Sequence, residues 1–193
     1  YNADQKGLKG GVDEGGVRVP FFVRWKNKIN SGKDVEKLAA HIDIFPTFAD
    51  LAGLKLNEKL SNQIEGRSLL KLIENPDATW EDRFLFTQRA RWKTGAEPND
   101  HMWQNFAVRN QRYRLVGERL FDMIKDPAQK NDISKENAEV VESMRKAYDD
   151  FWKSSRPLMI NETVPMSKVR PYHVWFKEQS MNKGIPTWDG PKL

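Results

Sequence analysis

The sequence predicts a mixed α/β architecture that closes on a small antiparallel sheet covered by a long helix. Three observations predict it. Four short aromatic or branched segments, "RFLFTQ", "FAVRN", "YRLVG" and "RLFDM", follow one another between polar turns, which is the pattern of a strand meander. Val140, Val141, Met144, Ala147, Tyr148, Phe151 and Trp152 then recur at three- and four-residue spacing, an apolar stripe along a helix of residues 134–155. Well ahead of both, "VPFFVRW" is short, aromatic and apolar, and reads as a buried strand.

Element by element, the chain opens on "LKGGVDEGGVRVP", Leu8 to Pro20, where glycines crowd against the strand expected over Val19 to Trp25. "KNKINSGKD" is a polar loop. "AHIDIFPTFADLAGL" reads as a short helix with Asp43 as N-cap, Pro46 in the first turn and Gly53 as the stop, because a first-turn proline lacks only an N–H that has no intrahelical partner. "GRSLLKLIENP" is a second short helix, ended before Pro76. The sheet segments follow, with a longer loop, Trp92 to Gln104, after the first of them. "KDPAQKND" is a turn-rich linker, and Ser134 is the expected N-cap of the long helix. From Pro157 onward five prolines (157, 165, 171, 186 and 191) and no period predict irregular structure over the surface. The change of texture near residue 75 divides the chain into residues 1–75 and a smaller unit of residues 76–193.

Charge and composition exclude several classes of function. The 32 basic and 27 acidic residues give a net charge of +5, but they are interspersed and form no block of like charge, so a nucleic-acid partner is not expected. With no cysteine in 193 residues there is no disulfide framework, thiolate metal site or cysteine nucleophile. No apolar run approaches the roughly 18 residues of a membrane span, and "YNADQKG" is not a signal peptide. The mean hydropathy of −0.75 is low for a globular chain, as expected if part of the core comes from residues outside these.

The glycine-rich opening holds the chemistry. Lys6 and Lys9 flank Gly7, and Gly10, Gly11, Gly15 and Gly16 follow. Glycine lets backbone approach a ligand closely and a lysine offers a point charge, a combination suited to a phosphate or sulfate oxyanion. It matches neither a Walker A loop nor a GxGxxG fingerprint, and by composition alone a solvated basic turn is the better description.

"NADQKGLKGGVDEGGVRVPFFVRW" resembles the segment of formylglycine-dependent sulfatases with the pattern N-A-x-x-x-G-x-K-G-x-x-x-E-G-G-x-R-V-P, here Asn2, Ala3, Gly7, Lys9, Gly10, Glu14, Gly15, Gly16, Arg18, Val19 and Pro20. "AHIDIFPTFADLAGL" is similar to the family's D-x-x-P-T-x-x-D-L-A-G segment, through Asp43, Pro46, Thr47, Asp50, Leu51, Ala52 and Gly53. "GRSLL" and "FAVRNQRYRLV…RLFDMIKDPAQKND" resemble two further family blocks. The resemblance runs in order over roughly residues 1 to 155 and implies the C-terminal part of an alkaline-phosphatase-like sulfatase fold, with residues 1–75 ending the large catalytic domain.

What the resemblance implies for function is a sulfuric ester hydrolase acting on aryl or carbohydrate sulfates. Lys9 matches the family lysine that contacts the substrate sulfate. Glu14 and Arg18 are expected to hold loop and strand together as an ion pair, and Lys6 to be solvated. The family's nucleophile, a formylglycine made within a C/S-x-P/A-x-R segment, has no counterpart here, and no Asp/Asn cluster offers the six to eight oxygens calcium takes. The resemblance thus places nucleophile and calcium outside this chain, which supplies no metal ligand, needs an N-terminal catalytic portion and is inactive alone. It also implies a periplasmic or secreted protein. Two other readings of the same residues are a phosphodiesterase or phosphonate hydrolase of that superfamily and a module that holds sulfated polysaccharide without cutting it.

Three histidines lack metal spacing. His41 is expected to be packed and hydrogen-bonded. His101, in the long loop with Trp92 and Trp103, and His173, in "RPYHVWF", are candidate substrate contacts, as is Trp103, since aromatic rings suit stacking on sugars.

Overall fold

A computed structural model describes residues 3–29, 31–93, 95–159 and 171–182. Its described residues cluster into two compact units, Tyr1–Leu158 and Met159–Leu193. In the first, helix α1 is the single turn Glu14–Val17. A 3₁₀ turn, His41–Asp43, runs into α2, Ile44–Leu51. Two more short helices follow, α3 (Glu58–Ser61) and α4 (Leu70–Glu74). The strands are β1 (Leu85–Gln88), β2 (Phe106–Arg109), β3 (Tyr113–Val116) and β4 (Arg119–Asp122). Helix α5 spans Ala138–Ser155.

The four strands form the expected antiparallel meander in the order β1-β2-β3-β4. Val108 pairs with Leu115 and Leu115 with Leu120, so the alternation of side chains sorts the sheet into two faces. Phe86, Phe106, Val108, Leu115 and Leu120 share one face, under α5. Ala107, Arg109, Arg114, Val116, Phe121 and Met123 share the other.

The helix stripe seats as its period requires. Met144, Tyr148 and Trp152 are buried. Phe106 stacks on Tyr148 at 4.5 Å and Phe86 on Phe151 at 4.4 Å between ring centroids. The polar tips of this face are satisfied: the Tyr148 hydroxyl lies 2.6 Å from Gln88 Oε1 and 2.9 Å from the Met102 carbonyl, and Trp152 Nε1 donates to Asn99 Oδ1 at 3.0 Å. These bonds pin the loop between β1 and β2, whose middle is a 3₁₀ turn, Pro98–His101. Burial pushes the Tyr148 phenol up.

Five local expectations are corrected. Residues 19–25 form no strand, and Phe22 is 91 % exposed, because among the described residues no ladder pairs with them and an isolated strand has no hydrogen-bond partners. Asp43 stands at the N-cap position of α2 but its side chain makes no capping bond to that helix. Its backbone is already helical and its carboxylate is taken by Ala40, Arg67 and Arg83. Ser134 makes no capping bond either. A 3₁₀ turn, Lys135–Asn137, intervenes, and Asn137 stands at the start of α5. His41 is exposed rather than packed, since the turn it opens aims Asp43 inward instead. Finally, the second unit holds a helix, α6 (Pro171–Asn182), where irregular structure is expected. Proline is tolerated at its first position, and the lack of an apolar stripe hides it from pattern reading. The prolines at 165, 186 and 191 and the Asn2 match lie outside the described residues.

Candidate functional site

Lys9 sits exposed at the crest of a loop whose shape is set by backbone packed on backbone. Gly15 N–H donates to the Lys6 carbonyl at 2.7 Å and Gly11 N–H to the Leu8 carbonyl at 2.8 Å. A Cβ on Gly16 would stand 2.5 Å from the Gly11 carbonyl oxygen, and one on Gly15 2.8 Å from the Lys6 and Gly7 oxygens. No side chain fits at either position, so the glycine pair is demanded by the close return of α1 across the loop. Among the described residues Lys9 has no hydrogen bond or ion pair, whereas Lys6 is half-buried with its ammonium 5.1 Å from the centre of the Phe121 ring. Lys6 is therefore a packing residue and not the solvated one expected.

Beneath the loop lies a buried ionic cluster. Arg109 and Arg114 are directly opposite each other on β2 and β3, an arrangement of like charges that opposes strand pairing unless an anion intervenes. Glu14 is that anion. Its Oε2 is 2.9 Å from Arg114 Nη1 and 3.6 Å from Arg109 Nε. Arg114 Nη2 also donates to the Val12 carbonyl, and Val12 packs with Ala107, Val116, Phe121 and Met123. Burial lowers the pKa of both arginines. Glu14 thus pairs with two strand arginines rather than with Arg18, which is exposed. On its other side the Glu14 N–H donates to Gln129 Oε1 at 2.8 Å, and Gln129 Nε2 approaches Asp13 Oδ1 at 3.4 Å.

Asp43 anchors the neighbouring segment. Arg83 donates to both carboxylate oxygens, at 2.8 Å to Oδ1, while the N–H groups of Arg67 and Ala40 add bonds at 2.8 and 2.7 Å. Burial alone would raise the carboxyl pKa, but these donors outweigh it and hold the group below its usual value. Among the described residues no three His, Asp or Glu side chains are grouped to hold a metal ion.

Of the remaining candidates, His101 and Trp103 belong to the loop between β1 and β2. His101 stacks on Trp92 at 5.5 Å with Nδ1 3.1 Å from Gln104 Oε1. Trp103 rests on Phe106 and Tyr148 on the helix face, with the Arg145 guanidinium 4.5 Å from its ring centre, and borders an open groove of ≈ 650 Å³ along α5. Lys9 belongs to the loop on the opposite face, so Trp103 and Lys9 are not brought together. His173 is on α6, in the second unit, exposed beside Tyr172.

Sequence reasoning missed Arg114, Arg109 and Gln129. The arginines were findable: strand alternation in "FAVRN" and "YRLVG" puts both among apolar neighbours on one face, and buried cations require an acid. Gln129 carries no such signal.

The model of the family described as N-sulphoglucosamine sulphohydrolase, C-terminal, matches residues 9–154. Human steryl-sulfatase is 28% identical over 180 residues, covering 77% of this chain and 30% of that protein. An N-acetylgalactosamine-6-O-sulfatase of Bacteroides thetaiotaomicron is 28% identical over 151 residues, covering 72% and 28%. The crystal structure of Ps i-CgsB in complex with k-i-k-neocarrahexaose superposes with a TM-score of 0.64 at 25% identity, over 92% of this chain and 37% of that one. The chain spans roughly a third of the length of these relatives.

Proposed function

The chain belongs to the sulfatase family, of which it is a C-terminal portion with the alkaline-phosphatase-like fold, and on that premise we propose that it works within a hydrolase of aryl or carbohydrate sulfate esters, in which Lys9 contacts the sulfate. One observation carries the reading: Lys9 is the exposed cation of a loop held rigidly by glycine packing and by the Glu14–Arg114 pair. As the S–O bond to the leaving group breaks, negative charge grows on the oxygens of the sulfate and the departing group. A lysine held in place beforehand stabilises that charge without reorganising. Formylglycine as nucleophile and calcium as counter-charge would come from outside these residues, and the isolated chain would not turn over substrate. A periplasmic or secreted address accords with the reading, and no helix among the described residues is long and apolar enough to cross a membrane.

The same reading divides the chain functionally near residue 75, with residues 1–75 completing the large catalytic domain and 76–193 forming the smaller subdomain. Residues 19–25 join no sheet among the described residues, with Val19, Phe21 and Phe22 exposed, and Phe45 and Phe48 of α2 are exposed as well. Such a surface supports cover by an N-terminal catalytic portion, because monomers seldom leave contiguous apolar patches open to water. His101, Trp103 and His173 are secondary candidates for sugar contact.

The test is a pair of substitutions in the full-length enzyme. Lys9→Ala should lower kcat/KM for a sulfate ester about 100-fold and leave the melting temperature nearly unchanged. Lys6→Ala should leave kcat/KM within about threefold, since its charge faces Phe121 and not the crest. Equal, small effects of the two would return the loop to a basic turn without a catalytic part.

A further inference from the structure

Gln129 is buried, yet it lies in a surface linker and its backbone is held at φ 53°. That left-handed conformation is uncommon for a residue with a Cβ other than Asn or Asp. Glycine or asparagine would take the turn with less strain, but glycine has no side chain and asparagine is one methylene shorter. The turn is fixed by its own bonds, Gln129 N–H to the Asp126 carbonyl at 3.0 Å and Asn131 N–H to Asp126 Oδ2 at 2.7 Å. What the glutamine adds is reach: its amide meets the Glu14 N–H at 2.8 Å and approaches Asp13 at 3.4 Å, 115 positions earlier in the chain.

We propose that Gln129 is a positioning residue for Lys9, through which the turn after β4 holds the sulfate-facing loop at its working height. The inference rests on Lys9 contacting the sulfate. The mechanical path is short. Gln129 Oε1 accepts from the first free N–H of α1, a group that otherwise has no intrahelical acceptor. With α1 held, Gly15 N–H closes the base of the loop on Lys6 and Gly16 packs closely on Gly11 and Leu8, the residues on either side of the Lys9–Gly10 pair. Glu14 and Arg114 fix the same turn from below. Loss of the glutamine amide frees one end of this clamp, and an ammonium displaced by about 1 Å from its place costs up to about 100-fold in rate.

A double-mutant cycle in the full-length enzyme tests this, because a residue that acts only through Lys9 has nothing to act on once Lys9 is gone. Gln129→Leu should lower kcat/KM by about 10- to 100-fold, mostly in kcat, and in the Lys9→Ala background it should lower it less than about twofold. Equal losses in both backgrounds would overturn the positioning role and leave the sulfate contact standing. No loss for Lys9→Ala alone would overturn the sulfate contact and this inference with it. If Gln129→Leu does not fold, Gln129→Glu keeps the length and the acceptor for the Glu14 N–H while replacing the donor facing Asp13 with an oxygen. It should show the same non-additivity, and strict additivity there overturns the proposal equally.

Discussion

The two faces of the four-stranded sheet are held by different physics. Under α5 the contacts are rings and branched chains, with Phe86, Phe106, Tyr148, Phe151 and Trp152 in mutual contact and the few polar tips bonded at the rim. Under the Lys9 loop a buried arginine, Arg114, and a half-buried one, Arg109, converge on one carboxylate. The first face is stabilised by removal of apolar area from water, which depends little on pH or salt. The second is stabilised only while Glu14 carries its charge between the two guanidinium groups, so its neutralisation is felt across the loop. A face built this way fixes one position of the loop, which suits the presentation of a charge.

Substitutions can break that contrast. Trp152→Ala should cost about 3–5 kcal/mol by opening a cavity, read as a fall in the urea midpoint that is the same at low and moderate salt. A loss under about 0.5 kcal/mol would mean that the stripe is not the core of this unit. Glu14→Gln should cost about 3 kcal/mol or more, since it leaves the buried Arg114 facing the half-buried Arg109 with no anion between them. Unlike the tryptophan change it should also lower activity of the full-length enzyme. A smaller loss, about 1–3 kcal/mol, is expected for Gly16→Ala, where a methyl group meets a backbone oxygen and the loop must open.

Acid should separate the contributions more finely. Asp43 has its pKa held below the ordinary value by Arg83 and two backbone donors against the opposing effect of burial. A depressed carboxyl pKa means the folded state binds the proton less readily than the unfolded one. The stability it contributes is therefore complete above the ordinary value near about 3.9 and is lost as pH falls through the lowered one. The difference in unfolding free energy between wild type and Asp43→Asn should be flat from neutral pH to about 5 and shrink below about 4. A difference that instead grows in acid would reverse the assigned direction. The smallest effect belongs to Lys6→Ala, about 0.5–1 kcal/mol for a cation over a ring, measured from the melting temperature.

Much of this was legible in the residues. The strand meander, the α5 stripe and the stop of α2 at Gly53, where φ is +64°, each depend on local period or on one residue's conformational range, which a linear sequence states directly. The ordered blocks from Asn2 to Asp132 carried the family resemblance for the same reason. Partner choice was not legible. Asp43, followed by a proline three residues on, has every local mark of an N-cap, yet Arg83, 40 positions later, claims its carboxylate because a buried charge prefers a guanidinium to a lone N–H. Arg18, four residues from Glu14, was the nearer cation, but Arg114 is the one the sheet register delivers.

By itself the sequence determined the elements with a period, the glycines of the loop and the lysine they surround, because propensity, periodicity and steric allowance are properties of neighbouring residues. Only the tertiary structure decided that Glu14 answers two strand arginines, that Gln129 reaches back to the Lys9 loop and that Trp103 belongs to the other face. These are pairings between groups roughly a hundred positions apart or on opposite sides of a sheet. They exist because burying a charge or a backbone N–H costs more than the strain of bringing a distant partner to it. The residues 19–25 show the converse: an apolar run with strand-forming side chains forms no strand when no neighbouring backbone among the described residues pairs with it.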